Sequence, residues 1–331
     1  MLPLKWHACV LVYAAIVACQ QPVGLDPEDV AKMELEGLET GAGIEILAQL
    51  SSLEAELNTA DPARLHVFSH RDVAIQLDAD KWHDIAVPYY ADGCAISVFN
   101  RAIYIVGGMD QAYDVQVYAG QEWIYYEAIL AHPRIALATV VYRKRLYAIG
   151  GQRLNQSSSV VCLARDTWGP APGLHTPRYG HDAIAYNDRI FVAGGRAVKD
   201  GKLVTSVELY DGKVWTTIEP QDSFGMATLR LVVFKRRLHA LCTVCHDGFK
   251  VWSIKQQNWQ PSVIPLPAEW EEASGFAAVT LKSGLHLLGG RLDDDPSAEH
   301  WVYDGTRWRE ATVLPEAMGS LVAVATSFAE A

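Results

Sequence analysis

Arginines at matching positions around repeated glycine pairs are the residues of this sequence best suited to binding chemistry. Arg196 and Arg291 come directly after a Gly-Gly pair. Arg71 has the same place after the degenerate pair Ser69-His70, and Arg153 lies one residue further from the complete pair Gly150-Gly151. Guanidinium groups fork onto carboxylate or phosphate oxygens, and Arg, Tyr and Trp dominate the energetics of protein interfaces. The predicted partner-binding residues are Arg71, Arg134, Arg153, Arg178, Arg196, Arg291, Tyr89, Tyr113, Tyr179 and Trp270.

Residues that could perform catalysis or hold a cofactor form no recognisable set. The eleven histidines are scattered singly, and no glycine-rich loop precedes a helix as a phosphate-binding loop requires. Cys242 and Cys245 have the spacing of metal or redox sites, but no second cysteine pair accompanies them. The favoured interpretation of Cys242 is a buried small residue in place of glycine. We therefore predict no catalytic residue, no metal site and no cofactor.

The glycine pairs end a seven-residue pattern that occurs six times, each time followed by a tryptophan. Four copies are complete, at 102–108, 145–151, 189–195 and 284–290, whereas 64–70 and 237–243 carry other residues in place of the glycines. A period of about 40–50 residues built from short strands is typical of β-propeller blades. The predicted structural positions are Gly107, Gly108, Gly150, Gly151, Gly194, Gly195, Gly289, Gly290, Trp82, Trp123, Trp168, Trp215, Trp259 and Trp308.

This repeat resembles the kelch motif over nearly all of residues 64–327. The resemblance is carried by the glycine pair after the second strand, by an aromatic residue ending the third (Tyr118, Tyr210, Tyr303), and by the tryptophan of the fourth. Residues 175–181, His-Thr-Pro-Arg-Tyr-Gly-His, are also similar to the family. The resemblance implies an all-β fold, a six-bladed kelch β-propeller. The glycines are expected where blades pack too closely for a Cβ atom, so the two degenerate copies should pack less regularly.

The ends of the repeat predict how the propeller closes. The first copy begins at the second strand of a blade, whereas residues 319–325 have the pattern of a first strand with no second strand after it. Joined together, they complete one blade and leave no open sheet edge. In the clearest blade, strands A to D are predicted at 182–186, 189–193, 206–210 and 214–218, with tight turns at 187–188 and 211–212.

The loops between alternating strands fall on two faces. The B–C and D–A loops form the loop face, which holds the predicted partner-binding residues. The alternative is that its arginines are solvated or paired with Asp293, Asp294 and Asp295. The A–B and C–D turns form the opposite turn face, where basic residues recur on the A–B turns from Arg101 to Lys282. These are expected to be solvated turns, with docking of an acidic segment as the alternative.

Residues 1–19 are predicted to be a signal peptide. Lys5 is their one charged residue, and the apolar run at 8–18 is too short to span a bilayer comfortably. A buried strand, a misassigned start and a bacterial lipoprotein box at 16–19 are the alternatives. Asn155 begins a glycosylation sequon, and six cysteines suit an oxidising compartment. We predict a secreted or extracytoplasmic protein, with a cytoplasmic location as the alternative.

Residues 20–63 are predicted to be a short, acidic, helical lead-in to a propeller at 64–327. Between residues 22 and 64 there are ten acidic and two basic residues, and apolar residues recur at helical spacing from Ile44 to Leu57. The net charge of −11 argues against a nucleic-acid partner. We expect a monomer with no integral membrane segment in the mature chain.

These observations predict a non-catalytic scaffold that recognises a partner protein or an acidic peptide on the loop face. The kelch resemblance leaves two alternatives. One is a secreted or periplasmic propeller enzyme of the carbohydrate oxidase or epimerase type, although no residues mark the copper site that the oxidase would need. The other is the substrate-recognition part of a ubiquitin ligase acting without its own BTB domain.

Overall fold

The structure is a computed structural model that describes most of the propeller. It covers residues 64–69, 73–78, 80–88, 93–108, 114–118, 122–126, 130–152, 159–164, 167–220, 229–242, 249–253, 255–267, 270 and 273–326. The predicted signal peptide and acidic lead-in lie outside the described residues. Ala63–Ala331 is one compact unit. Within the described ranges, no helix is long and apolar enough to cross a lipid bilayer.

The described strands form six four-stranded antiparallel blades, which confirms the predicted fold. Blade 1 contains β1 (Arg64–Ser69), β2 (Val73–Asp78), β3 (Lys81–Asp84) and, from the other end of the chain, β28 (Leu321–Thr326). Blade 2 contains β4 (Ala95–Phe99), β5 (Ala102–Val106), β6 (Val115–Tyr118) and β7 (Trp123–Tyr125). Blade 3 contains β8 (Ala138–Tyr142), β9 (Arg145–Ile149), β10 (Val160–Ala164) and β11 (Thr167–Ala171).

The second half of the ring has the same construction. Blade 4 contains β13 (Asp182–Tyr186), β14 (Arg189–Ala193), β16 (Val207–Tyr210) and β17 (Trp215–Ile218). Blade 5 contains β18 (Leu229–Phe234), β19 (Arg237–Cys242), β20 (Lys250–Ser253) and β21 (Asn258–Pro261). Blade 6 contains β22 (Ala277–Leu281), β23 (Gly284–Leu288), β26 (His300–Tyr303) and β27 (Trp308–Glu310). Two small ribbons lie in loops: β12 (Arg178–Tyr179) with β15 (Arg196–Ala197), and β24 (Arg291–Leu292) with β25 (Asp295–Pro296).

The first strand of each blade lines the axis of the ring. β28, β4, β8, β13, β18 and β22 each contact the first strands of both neighbouring blades. The ring closes as predicted, because β28 pairs antiparallel with β1 from Arg64 opposite Thr326 to Ser69 opposite Leu321. A buried hydrogen bond of 2.9 Å between His66 Nε2 and Thr326 Oγ1 joins the two ends of the propeller. The edge of β1 that would otherwise be unpaired is thus covered by β28.

The glycine pairs are required by both backbone conformation and close approach. Gly195 has φ +81°, and a Cβ atom there would lie 2.6 Å from the Tyr179 carbonyl oxygen. Gly150 has φ +58°, and its Cβ would lie 2.7 Å from the His181 ring. Non-glycine residues rarely adopt such φ values, and real Cβ atoms do not come so close to a neighbour. Strand B therefore leaves each of these blades through a position that only glycine fits.

In the two blades without a glycine pair, strand B is one residue longer than in the other four blades. β1 and β19 have six residues, whereas the second strands of the other blades have five. Cys242 stays in the strand, opposite Leu229, instead of turning away as glycine does. It is fully buried, as expected of a residue in place of glycine, and it is also disulfide-bonded. Cys94 and Cys162 do not form disulfides.

The repeated tryptophans join neighbouring blades. The indole nitrogens of Trp82, Trp123, Trp215 and Trp308 each donate to a carbonyl just after strand D of the preceding blade. The acceptors are Thr312 (3.1 Å), Ala86 (2.7 Å), Pro172 (2.7 Å) and Pro265 (2.7 Å), respectively. The tryptophan thus combines apolar burial between blades with one directed hydrogen bond, which accounts for its recurrence in the repeat.

Candidate binding site on the loop face

A cavity of about 360 Å³ lies on the axis of the ring, between the N-terminal halves of the first strands. Strand A starts from a D–A loop, so this end of the channel belongs to the loop face. Most of the lining is backbone and small apolar side chains, but Arg230, Asp182 and His181 also contribute. The cavity is concave, and backbone polar groups and a few charged side chains line it beside small apolar side chains, so a ligand placed there would find hydrogen-bonding partners.

Arg230 is the charged residue of the cavity with hydrogen-bonding capacity to spare. Its Nε donates to the Phe276 carbonyl of blade 6 at 3.0 Å, and its Nη1 donates to the Leu229 carbonyl at 3.2 Å. These bonds hold a half-buried guanidinium between two blades. The described residues provide no acceptor for Nη2, so this end of the fork remains able to bind a ligand carboxylate or carbonyl.

Asp182 is held by the scaffold, and His181 beside it is buried. The Asp182 carboxylate accepts hydrogen bonds from the backbone N–H groups of Ala183 (2.8 Å) and Leu231 (2.7 Å), which join β13 to β18. Burial raises the pKa of Asp182, while Arg230 and these two N–H groups oppose the rise. Burial, together with nearby Arg178, lowers the pKa of His181 to about 3. His181 is therefore neutral at physiological pH, and Arg230 supplies the positive charge of the cavity.

Arg196 and Arg291 lie on the loop face as predicted, each at the start of a small ribbon. Arg196 is exposed, and its Nη1 donates to the Gly201 carbonyl of its own loop at 2.9 Å. Arg291 Nη1 donates to the Asp294 carbonyl at 2.6 Å. Within the described residues, neither arginine pairs with the side chains of Asp293, Asp294 or Asp295. Both donate to backbone oxygens instead. Each guanidinium keeps further N–H groups for a partner.

Arg178 was predicted to face a partner but is fully buried. Its Nη2 donates to Glu208 Oε1 at 2.9 Å and to Ser206 Oγ at 3.1 Å, and its Nη1 donates to the Ser206 carbonyl at 2.9 Å. Both side chains of the Arg178–Glu208 pair are inaccessible to solvent. Burial lowers the pKa of Arg178, and Glu208 opposes that effect. Arg178 therefore fixes the D–A loop to blade 4 and does not contact a partner directly.

Two further members of the predicted set are buried as well. Arg134 repeats the arrangement one blade earlier, because its Nη1 donates to the carbonyls of Gly150 (3.0 Å) and Ser159 (2.6 Å). Burial lowers the pKa of Arg134 to about 10. Trp270 is inaccessible, and its indole donates to Glu299 Oε2 at 2.8 Å. These side chains are buried beneath the loops of the loop face and fix the positions of those loops through hydrogen bonds.

The remaining predicted positions divide between the surface and the undescribed loops. Tyr179 is half-buried and pairs with Arg196 in the ribbon of β12 and β15. The structure thereby brings two predicted residues together at the rim. Arg71, Arg153, Tyr89, Tyr113 and Asn155 lie outside the described residues, so their predicted roles stay predictions.

Arg230 and Asp182 were not identified from the sequence as site residues. Both are charged residues in the first strand of a blade, at positions where other blades have Ala95, Ala138 or Ala277. A charged side chain on the strand that lines the axis of a propeller is the signal that could have identified them.

The loop face has more acidic than basic residues. Besides the buried Arg134 and Arg178, the described B–C and D–A loops contain four basic and eight acidic residues. Within the same described segments, no three His, Cys, Asp or Glu side chains group closely enough to hold a metal ion. This charge balance disfavours a long acidic ligand across the whole face.

Comparisons with known proteins agree with this architecture. A sequence model of the kelch motif matches residues 177–220, which include strands A to D of blade 4. Kelch-like protein 40 of Mus musculus is 28% identical over 173 residues, covering 49% of this chain and 27% of that protein. Kelch repeat and BTB domain-containing protein 1 of ectromelia virus is 28% identical over 247 residues, covering 67% of this chain and 42% of that protein.

The solved structure of YjhT is similar in fold. Its TM-score is 0.59 at 12% identity, and the match covers 70% of this chain and 86% of that chain. Identity this low shows the fold alone. The chain also spans less than half the length of the curated relatives described above.

Proposed function

We propose that this chain, a kelch-repeat β-propeller, is a non-catalytic scaffold that recognises a partner protein on its loop face. The named relatives are kelch-like and BTB-kelch proteins, which supports a protein-binding scaffold. The observation that carries the choice of face is the axial cavity, because Arg230 keeps a donor for a ligand inside it. A concave site with one cation suits an inserted side chain of a partner.

The partner segment is proposed to anchor a single carboxylate at Arg230. The cavity of about 360 Å³ can hold one or two side chains but not a folded domain. Exposed Arg196 and half-buried Arg291 stand at the rim, each with its position fixed by a carbonyl of its own loop. A segment with one Asp or Glu at its centre and apolar or polar neighbours fits this distribution better than a run of acidic residues, since the surrounding loops are themselves acidic.

Selection from a displayed library of random peptides tests this proposal. The full chain is immobilised, and peptides are selected for binding and sequenced. We expect an enriched motif with one carboxylate residue. We also expect the combined substitution Arg196→Glu and Arg291→Glu to lower the affinity for the selected peptides about tenfold, because it removes electrostatic attraction and adds repulsion. Motifs without a carboxylate, or equal binding to the substituted chain, would contradict the proposal.

We also propose that the protein is secreted after removal of residues 1–19. The disulfide at Cys242 supports this, because disulfides persist mainly in oxidising compartments. Expression in a secreting cell, followed by N-terminal sequencing of the purified chain, provides the measurement. The expected mature chain begins near Gln20, and an intact Met1 on protein recovered from inside the cell would contradict secretion.

A further inference from the structure

The turn face has a concentrated positive charge that the proposed function does not use. The A–B turns of blades 2 to 6, together with the first residue of each following strand, contain nine basic residues and one acidic residue, and all ten are exposed. The basic residues are Arg101, Arg143, Lys144, Arg145, Arg189, Lys235, Arg236, Arg237 and Lys282. The A–B turns adjoin the axial strands, so these side chains surround the channel at the end opposite Arg230.

Several of these basic residues are in a backbone conformation that their residue type disfavours. Arg101 (φ 62°), Lys144 (φ 59°) and Lys235 (φ 47°) lie in the left-handed region. Two-residue hairpin turns of this kind favour Asn-Gly, because both central residues need positive φ. Blade 4 uses Asn187 and Asp188, which tolerate such φ values better. Basic residues are thus present where local conformation favours others, and such outliers tend to occur at functional sites.

The turns are also connected into one continuous surface across blades 3 to 6. The Arg143 guanidinium binds the Asp188 carboxylate of the next blade. The Tyr186 hydroxyl donates to the Arg236 carbonyl at 3.1 Å, and Lys235 Nζ lies 3.4 Å from the Gly305 carbonyl. Neighbouring tips therefore hold each other in place. A preorganised set of cations binds an anionic partner with a smaller entropic cost than independent flexible side chains.

The acidic residues of the turn face help to identify the class of partner. Asp188, Asp211 and Asp304 stand among the basic turns, and hydrogen bonds lower the pKa of each carboxyl, so all three are ionised at neutral pH. A uniformly negative polymer such as a sulfated glycan would meet repulsion at these points. A protein segment rich in Asp and Glu can avoid them by placing neutral or basic residues there.

We propose that the turn face is a second interaction surface that binds an acidic segment of a partner protein. This surface is separate from the axial cavity, since its residues lie on the A–B turns and Arg230 lies near the start of strand A in blade 5. The earlier alternative of docking by this chain's own acidic lead-in concerns residues outside the described ranges. The occupant that we propose is an acidic segment of a different protein.

The test combines Arg101→Asn, Lys144→Asn and Lys235→Asn in the full chain. Asparagine removes three charges and tolerates positive φ better than Arg or Lys, so the melting temperature is expected to equal or exceed that of the wild type. The probe is a fluorescein-labelled synthetic peptide that alternates glutamate and serine, followed by fluorescence anisotropy. We expect the dissociation constant to rise about tenfold at low salt and the difference to shrink as added salt screens exposed charges.

A control variant matches the change in net charge at other sites. It combines Lys199→Asn, Lys202→Asn and Arg309→Asn, which are exposed residues away from the A–B turns. We expect the control to bind the probe as the wild type does. If the control variant bound the probe as weakly as the triple variant, the loss would be due to net charge alone, and the proposal would be overturned. Binding of heparin or anionic vesicles in preference to the peptide would also overturn it. If the triple variant fails to fold, Lys144→Asn alone serves as the test.

Discussion

Replacing Glu208 with alanine is expected to lower the free energy of unfolding by about 3–5 kcal/mol, because it leaves the buried Arg178 charge without its carboxylate. Glu208 also accepts the backbone N–H groups of His175 at 2.6 Å and Thr176 at 3.0 Å. The substitution therefore removes the partner of a charge and of two N–H donors. A loss of this size is a large part of the total stability of a typical domain.

Urea denaturation of the full chain measures this effect, and a surface pair provides the control. Asp188→Ala breaks the Arg143–Asp188 ion pair, whose side chains are 48% and 62% exposed. Exposed pairs contribute about 0–1 kcal/mol, so this variant should remain near wild type. Glu208→Gln keeps an oxygen that can accept from the backbone N–H groups, so its free energy of unfolding should lie between those of Glu208→Ala and Asp188→Ala. Equal stabilities of the Glu208→Ala and Asp188→Ala variants would contradict the structural role assigned to Arg178.

Stability is expected to fall steeply between about pH 6.5 and pH 4, because the folded state keeps five histidines neutral. Burial is the main cause in each case. It lowers the pKa of His66 and His239 to about 4, that of His181 and His286 to about 3, and that of His300 in the same direction. In the unfolded chain these groups titrate near pH 6.5, so below that pH the unfolded state binds more protons. The stabilisation is complete above pH 6.5 and is lost as the pH falls.

The slope of stability against pH gives the direct measurement. Each neutral histidine contributes up to about 1.4 kcal/mol per pH unit in this window. Asp182 has the opposite effect, because its pKa is raised in the folded state, but it is one group against five. His239→Phe should reduce the slope of stability against pH, because it removes one of the five buried histidines. Phenylalanine should fit there, since blade 4 has Phe191 at the equivalent position of strand B. The exposed His83→Gln is the control, and a slope changed equally by both variants would contradict the assignment.

The fold was predictable because its signals repeat in phase. A single glycine pair has little weight, but its recurrence with a tryptophan placed the strands of blade 4 to within one residue at each end. The closing strand was predictable because the repeat begins in the middle of a blade, and an unclosed propeller would expose a sheet edge. The acidic lead-in, the signal peptide and the domain boundaries remain predictions.

The site was less predictable, because the sequence alone does not distinguish a buried arginine from an exposed one. Arg178, in the D–A loop that leads into blade 4, and Arg196, in the B–C loop of that blade, were both predicted to bind a partner, yet one is inaccessible and the other exposed. The distinguishing signal was Glu208, an acidic residue inside an otherwise apolar strand C. A buried carboxylate needs a cation nearby, and Arg178 provides it.

The most direct test of the proposed function is the affinity of one library-selected peptide for the wild type, Arg230→Gln and Arg309→Gln, measured by calorimetry on full chains that melt normally. Arg309 is exposed on blade 6, so its substitution matches the change of charge away from the cavity. A charge-assisted hydrogen bond is worth about 1.5–3 kcal/mol, which predicts a loss of about tenfold or more for Arg230→Gln and none for Arg309→Gln. The same affinity for all three proteins would contradict recognition at the axial cavity.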